Sequence, residues 1–396
     1  MIFNKIDNKP WFLVKLGIFA LVLASARACM VPIDIYLELL ITLSCFLYMQ
    51  SRGMFIWKKG QGDAAILICI MSVYIMHGSS SLTAYSGMFV AVLMPALLIG
   101  LKANIKMELF DDFSNWLALL LILSIIFWGL HVLGLSLPHI NQVIEKDGTS
   151  HSIIIENYFF FRTAMYEDSF DQLVFQRFNG FFLEPGHMGT IVFFFLYANG
   201  FDMKKRRNIV YLVTILLTLS AAAYTIAAVG YFLHKIGSGS SKIIVKSLFV
   251  IVLCIICIHL YNNGDNIVND LIFGKLTREQ GALDGRISFE VQELYQKLWD
   301  NGDYVFGLGY KTFHDSAGFK VFFVMNGIVG VLLVMISYFK IYLTSPSKYA
   351  FYMFILYMIN FTQRTYCGWD AFLVPFILGI VYLNNCKRDK VSILRL

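Results

Sequence analysis

A cation and a carboxylate stand close together in QRFNGFFLEPGHMG (176–189), as Arg177 and Glu184. Pro185 suits the first turn of a helix, where its missing N–H would be unpaired anyway, so Glu184 falls at the positive end of that helix. Plain capping would explain the glutamate alone. Arg177 at the same membrane depth makes the pair a candidate site, a charge-bearing boundary between water and lipid. A second stretch, GALDGRISFEVQELYQKLWDNGDYVFGLGYKTFHDSAG (281–318), begins with Arg286 and ends with His314 and Asp315. His314 and its neighbour are placed to take a proton near neutral pH. Between them Gly307 and Gly309 form a GxG whose amides could cradle a phosphate, although a simple turn explains it better in the absence of a Rossmann strand or Walker lysine.

Other chemistry-bearing residues have blander readings. Asp111 and Asp112 look like a metal-holding pair, but they fall in KMELFDDFSN on the cytoplasmic side and are assigned to solvent. Cys254 and Cys257 form a CxxC within an apolar run and read as small buried hydrophobes, since no second ligand pair accompanies them. Seven cysteines, scattered through the chain, are no disulfide framework.

The elements that must position these residues are membrane helices. Of 396 residues, 58% are hydrophobic and 15% charged, against about 45–50% and about 25% in soluble domains. Mean hydropathy is +0.66. The apolar residues fall in separate runs near the ~20 residues a helix needs to span a bilayer. NWLALLLILSIIFWGLHVLG (115–134) is apolar on every face, which excludes a transmembrane barrel with its alternating strands. The expectation is an all-α integral membrane protein of about twelve helices, near 11–30, 32–50, 63–80, 84–101, 115–134, 186–200, 208–220, 221–236, 243–261, 319–343, 349–362 and 370–384. The amino-terminal stretch resembles a signal peptide but reads as a retained first helix.

The net charge of +6 is spread between the apolar runs, a topology signal rather than a nucleic-acid patch. Lysines and arginines, including the KKRR run at 204–207, alternate so that both termini are cytoplasmic, and the short outward loops hold only Arg27 and Arg364. Two long outward insertions, 135–185 and 262–318, interrupt a single membrane domain spanning 1–396. They are too rich in aromatic and apolar residues to be disordered, so the chemistry is expected there. In the second, Ile287, Val291, Leu294, Tyr295 and Leu298 recur at helical spacing, with Asp284 as cap and Gly302 as stop, predicting an amphipathic helix on the membrane surface. Charges within the spans are scarce, with Lys15, Asp34, Glu38 and Lys246 near span ends, which counts against a proton-coupled carrier.

In RFNGFFLEPG, in LTLSAAAYTIAAVGYFL (217–233), in DGR (284–286), and in FGLG followed by MNGIVG (325–330), the sequence resembles the O-antigen and capsular polysaccharide polymerases, relatives of the O-antigen ligases and membrane glycosyltransferases of C type. It departs from them at AAAY (221–224), where members often carry an arginine. The resemblance implies an enzyme of the bacterial inner membrane whose donor and acceptor are both undecaprenyl-pyrophosphate-linked oligosaccharides, with a chain-length regulator as a further partner and no nucleic acid. Transfer from such a donor needs positive charge on the departing pyrophosphate and a base for the attacking hydroxyl. Guanidinium forks match phosphate oxygens, which assigns Arg177, Arg286 and Arg364 to the pyrophosphate. His314 or Glu184 would be the base. A single displacement would invert the anomeric carbon, with no metal or other cofactor required. An O-antigen ligase using the same donor, and a lipid-linked oligosaccharide flippase, are the competing readings.

Overall fold

A computed structural model describes residues 8–28, 31, 33–146, 152–166, 177–239, 289–311 and 318–393. Among them are twelve helices and one three-stranded sheet. The first five helices are α1 (Asn8–Ser25), α2 (Ile35–Ser51), α3 (Gln61–Ile75), α4 (Leu82–Ile99) and α5 (Ala103–Val132). The sheet β1 (Asn141–Lys146), β2 (Ser152–Asn157) and β3 (Arg162–Tyr166) follows, then α6 (Pro185–Ala198), α7 (Arg206–Leu217) and α8 (Ala221–Gly237). The chain ends in α9 (Phe289–Asp300), α10 (Phe319–Leu343), α11 (Lys348–Gln363) and α12 (Asp370–Ile393). The predicted 243–261 helix lies outside the described residues.

Helices α4, α5 and α10 are long and apolar enough to cross a membrane, and α2, α3, α6 and the 370–385 part of α12 are shorter apolar helices. Helix α6 is hydrophobic all round, and thirteen of its residues are buried, as expected of a helix enclosed by others. It packs on α7, α8, α11 and α12. Phe194 of α6 stacks on Tyr357 of α11 at 3.7 Å between ring centroids, and Tyr357 meets Phe376 of α12 at 4.6 Å. Small residues allow the closest approaches: a Cβ at Gly189 would sit 2.6 Å from the Cβ of Ala223 on α8.

Three features depart from the sequence reading. Helix α1 stops at Ser25 because Arg27 takes a left-handed conformation (φ 53°) and the next amide folds back onto Leu23 O. Helix α5 starts at Ala103, not 115, and so includes the part-exposed Asp111 and Asp112. These aspartates are not merely solvated: Asp112 Oδ2 pairs with Lys15 Nζ at 2.6 Å and Asp111 Oδ1 with Arg207 Nη2 at 2.7 Å. Each acid is neutralised by a different helix, so the two do not form a shared metal site. The third departure is the sheet, a meander of two antiparallel pairings inside the 135–185 insertion. Ile155 of β2 is buried, and Tyr158 and Phe161 stack at 4.3 Å. Burial and a 2.7 Å hydrogen bond to Glu156 push the Tyr158 hydroxyl well above the usual phenol range.

The amphipathic helix is present as α9. Val291 is buried against Val321 and Val324 of α10 with Leu294 and Tyr295 packed beside it, Leu298 is buried as well, and Gly302 (φ 81°) follows the end of the helix at Asp300. Ile287 and Asp284 lie outside the described residues.

Candidate functional site

The first turn of α6 brings Glu184 to the end of the most enclosed helix. Glu184 is the N-cap residue, yet its side chain makes no capping hydrogen bond. Its Oε2 instead accepts from Arg364 Nη1 at 3.0 Å, across 180 residues of sequence. Arg364 caps α11 in an extended conformation (φ −142°), which turns its side chain away from its own helix and towards α6. The guanidinium is buried, whereas the Glu184 side chain is about half exposed (48%). The carboxylate therefore faces solvent with a buried cation behind it.

Arg364 also reaches the start of α8. A Cβ at Gly186 would meet Arg364 Nη2 and Cζ and, at 3.2 Å, Ser220 Oγ. Ser220 is the N-cap of α8 and accepts from Ala223 N. The positive ends of α6 and α8 thus converge on one guanidinium, an arrangement suited to an anion. Arg364 Nε has no hydrogen-bond partner and is buried. It lines a small cavity with Tyr338, Tyr357, Asn360, Tyr366 and Cys367.

Arg177 comes to the same end of the bundle with its donors differently engaged. Nε donates to Thr218 O and Nη2 to Leu219 O, both at 3.1 Å. These carbonyls belong to the tight turn between α7 and α8, where Leu219 is left-handed (φ 45°). Helix ends leave carbonyls unpaired, and a guanidinium satisfies them while holding the turn that presents the α8 N-terminus.

The sequence reading missed His187, three residues after Glu184. Its Nε2 lies 3.6 Å from Glu184 Oε2, and the side chain is only 1% exposed. The ring packs edge-on against Tyr366 (4.7 Å) and Trp369 (5.5 Å), which stack on each other at 4.0 Å. The signal was present as EPGH, which sets an acid and an imidazole one helical turn apart. Of the sequence-selected residues, Arg177, Glu184 and Arg364 gather here. Arg286, His314 and Asp315 lie outside the described residues, as do Cys254 and Cys257.

The GxG is a turn whose amides are already engaged. Gly307 N donates to Asp303 O (2.9 Å), Leu308 N to Val324 O (2.8 Å) and Gly309 N to Met325 O (3.0 Å). Val324 and Met325 lie just before the break in α10 at Gly327, whose φ of 59° is non-helical. Ile328 N and Val329 N complete the clasp by donating to Tyr304 O and Val305 O, and Tyr74 O–H bonds Phe306 O at 3.2 Å from α3. This pairing leaves no phosphate nest at 307–310.

No family model, curated protein or solved structure matches the chain. Chemically, the site offers an exposed carboxylate as a proton acceptor, an imidazole beside it, and a buried cation between two helix N-termini where an anion can be neutralised.

Proposed function

We propose that the protein is a membrane glycosyltransferase that polymerises undecaprenyl-pyrophosphate-linked oligosaccharide repeats into O-antigen or capsular polysaccharide. The observation that carries the reading is Arg364, a buried guanidinium set between the N-termini of α6 and α8 and paired with the half-exposed Glu184. A sugar on pyrophosphate is already activated. Catalysis then requires a fixed positive group where the leaving charge develops and a base for the attacking hydroxyl, both needing little reorganisation. Arg364 meets the first need and Glu184 the second. Arg286 and His314 join them on the family resemblance alone, and Arg177 acts mainly by holding the α7–α8 turn.

The proposed setting is the bacterial inner membrane, with about twelve spans, both termini cytoplasmic and the site on the periplasmic side. The lysine and arginine distribution supports this orientation. Activated repeats meet on that side after export.

Deletion of the gene tests the reading. A polymerase joins repeats after export, so its loss leaves lipid A core capped with a single repeat, because an intact ligase still transfers one unit. In a capsule system the corresponding result is missing polymer with single lipid-linked repeats outside. Bare core with long carrier-linked polymer would identify a ligase instead. Bare core with single repeats on the cytoplasmic side would identify a flippase.

A further inference from the structure

We propose that His187 is the proton-holding partner of Glu184, so that the base of the transfer is a Glu184–His187 dyad with Arg364 as the exchangeable third member. This rests on the transferase reading above. Three observations converge on it. His187 Nε2 stands 3.6 Å from the same Glu184 oxygen that Arg364 holds. That is longer than a hydrogen bond, as catalytic contacts commonly are before substrate arrives. His187 is almost wholly buried while Glu184 is half exposed, so a sugar hydroxyl can reach the carboxylate and not the ring. Tyr366 and Trp369 hold the imidazole edge-on from the α11–α12 connection, the segment that begins with Arg364.

Both cationic or potentially cationic groups compete for one oxygen. An arriving pyrophosphate carries a higher charge than a carboxylate and attracts Arg364, whose Nη2 already lies beside Gly186 at the start of α6. Glu184 is then released towards His187. In the transfer itself the acceptor oxygen forms a bond to the anomeric carbon, and the bond from that carbon to the pyrophosphate oxygen breaks with its electron pair leaving on the lipid pyrophosphate. The hydroxyl proton passes to Glu184 and onward to His187 Nε2, and leaves to solvent when product departs. His187 touches no substrate and is a positioning residue. Among the described residues, the titratable groups shown against it are Glu184 from its own helix and the Tyr366 ring from the α11–α12 connection, with Arg364 on the same Glu184 oxygen.

The test uses the full-length protein in lipid nanodiscs with a lipid-pyrophosphate-linked repeat, following chain lengthening across pH 5.5–8.5, alongside thermal unfolding over the same range. His187→Gln is expected to lower kcat roughly 100-fold, to leave the donor KM within about twofold, and to change the acidic limb of the pH profile. Glu184→Gln is expected to lose at least as much, and the double variant no more than the worse single, as for groups acting as one unit. A His187→Gln protein with wild-type rate and profile overturns the dyad. So does a loss of rate matched by lost thermal stability with an unchanged pH profile, the mark of a packing role. His187→Asn serves if the glutamine variant does not fold. Should the wild-type protein lengthen nothing, the transferase reading fails while the dyad is still decided. Non-additive, pH-dependent shifts in melting temperature for Glu184→Gln and His187→Gln would sustain it, and additive shifts would overturn it.

Discussion

Replacing Gly186 by alanine adds a single methyl group at the centre of the proposed site. The new Cβ would overlap Arg364 Nη2 and stand 2.9 Å from Cζ. These atoms are the far end of a flexible side chain, so the fold can accommodate the methyl group by moving the guanidinium about 1 Å or more. A misplacement of ~1 Å in a positioned catalytic group can cost about 100-fold in rate. The same range follows from the bond at risk, since a charged hydrogen bond is worth about 1.5–3 kcal/mol, or roughly 10–150-fold if made in the transition state. Stability should move little. The guanidinium shifts without leaving the half-exposed Glu184, so the ion pair is loosened rather than broken and water replaces part of what it supplied. Alanine in the first helical turn offsets some of this, because glycine is roughly 0.5–1 kcal/mol poorer within a helix. The expected outcome is a purified Gly186→Ala protein that melts within a few degrees of wild type yet lengthens lipid-linked repeats one to two orders of magnitude more slowly. Gly62→Ala is the control, since nothing lies within 4 Å of a Cβ there. A fully active Gly186→Ala protein would refute the claim that the Arg364 position sets the rate.

Two other perturbations address the frame around the site. Gly327→Ala should fail to accumulate as folded protein, because φ is 59° and the added Cβ would stand 2.5 Å from the backbone oxygen of Val305; normal yield and melting temperature would argue against the α10 clasp. Reporter fusions active only outside the cytoplasm should work after residues 150 and 290 and fail after 206 and 390, as the positive-inside pattern demands; activity at 206 would invert the topology and remove the site from the periplasm.

Helix existence was legible in the sequence because apolar runs and their breaks are local properties. The helices expected near 63–80 and 84–101 are found at 61–75 and 82–99. The start of α5 was not legible. Its charges looked solvated, and they stay part-exposed, but each pairs with a cation from another helix, Asp112 with Lys15 of α1 and Asp111 with Arg207 of α7. The meander was missed for a related reason: QVIEK and SIIIEN are short β-branched runs, which an apolar chain contains by composition alone. At the site, EPGH was visible and Glu184 could be singled out. Its pairing with Arg364 could not be read, because no spacing rule connects residues 180 positions apart. The charge pattern singled out arginines as a type and could not rank them.

That ranking is where sequence and structure part most clearly. Arg177 was selected for its closeness to Glu184 in the chain, yet its Nε and Nη2 both bond carbonyls of the α7–α8 turn. Arg364 keeps a buried Nε without a partner and shares one oxygen of a carboxylate that an anion can displace. The two should therefore fail differently. Arg177→Ala leaves two carbonyls unpaired at a left-handed turn, costing about 1–3 kcal/mol, so melting temperature should fall. Rate should fall only in step with the folded fraction. Arg364→Lys keeps a charge but cannot supply the planar fork that pyrophosphate oxygens match. Melting temperature should hold within a few degrees, and the rate should drop roughly 10–150-fold. The assays are the same for both: unfolding in nanodiscs and repeat lengthening per folded molecule. If Arg177→Ala were stable and inactive while Arg364→Lys were stable and fully active, the pyrophosphate would have to lie against Arg177, and the convergence of the α6 and α8 N-termini on Arg364 would be architecture alone.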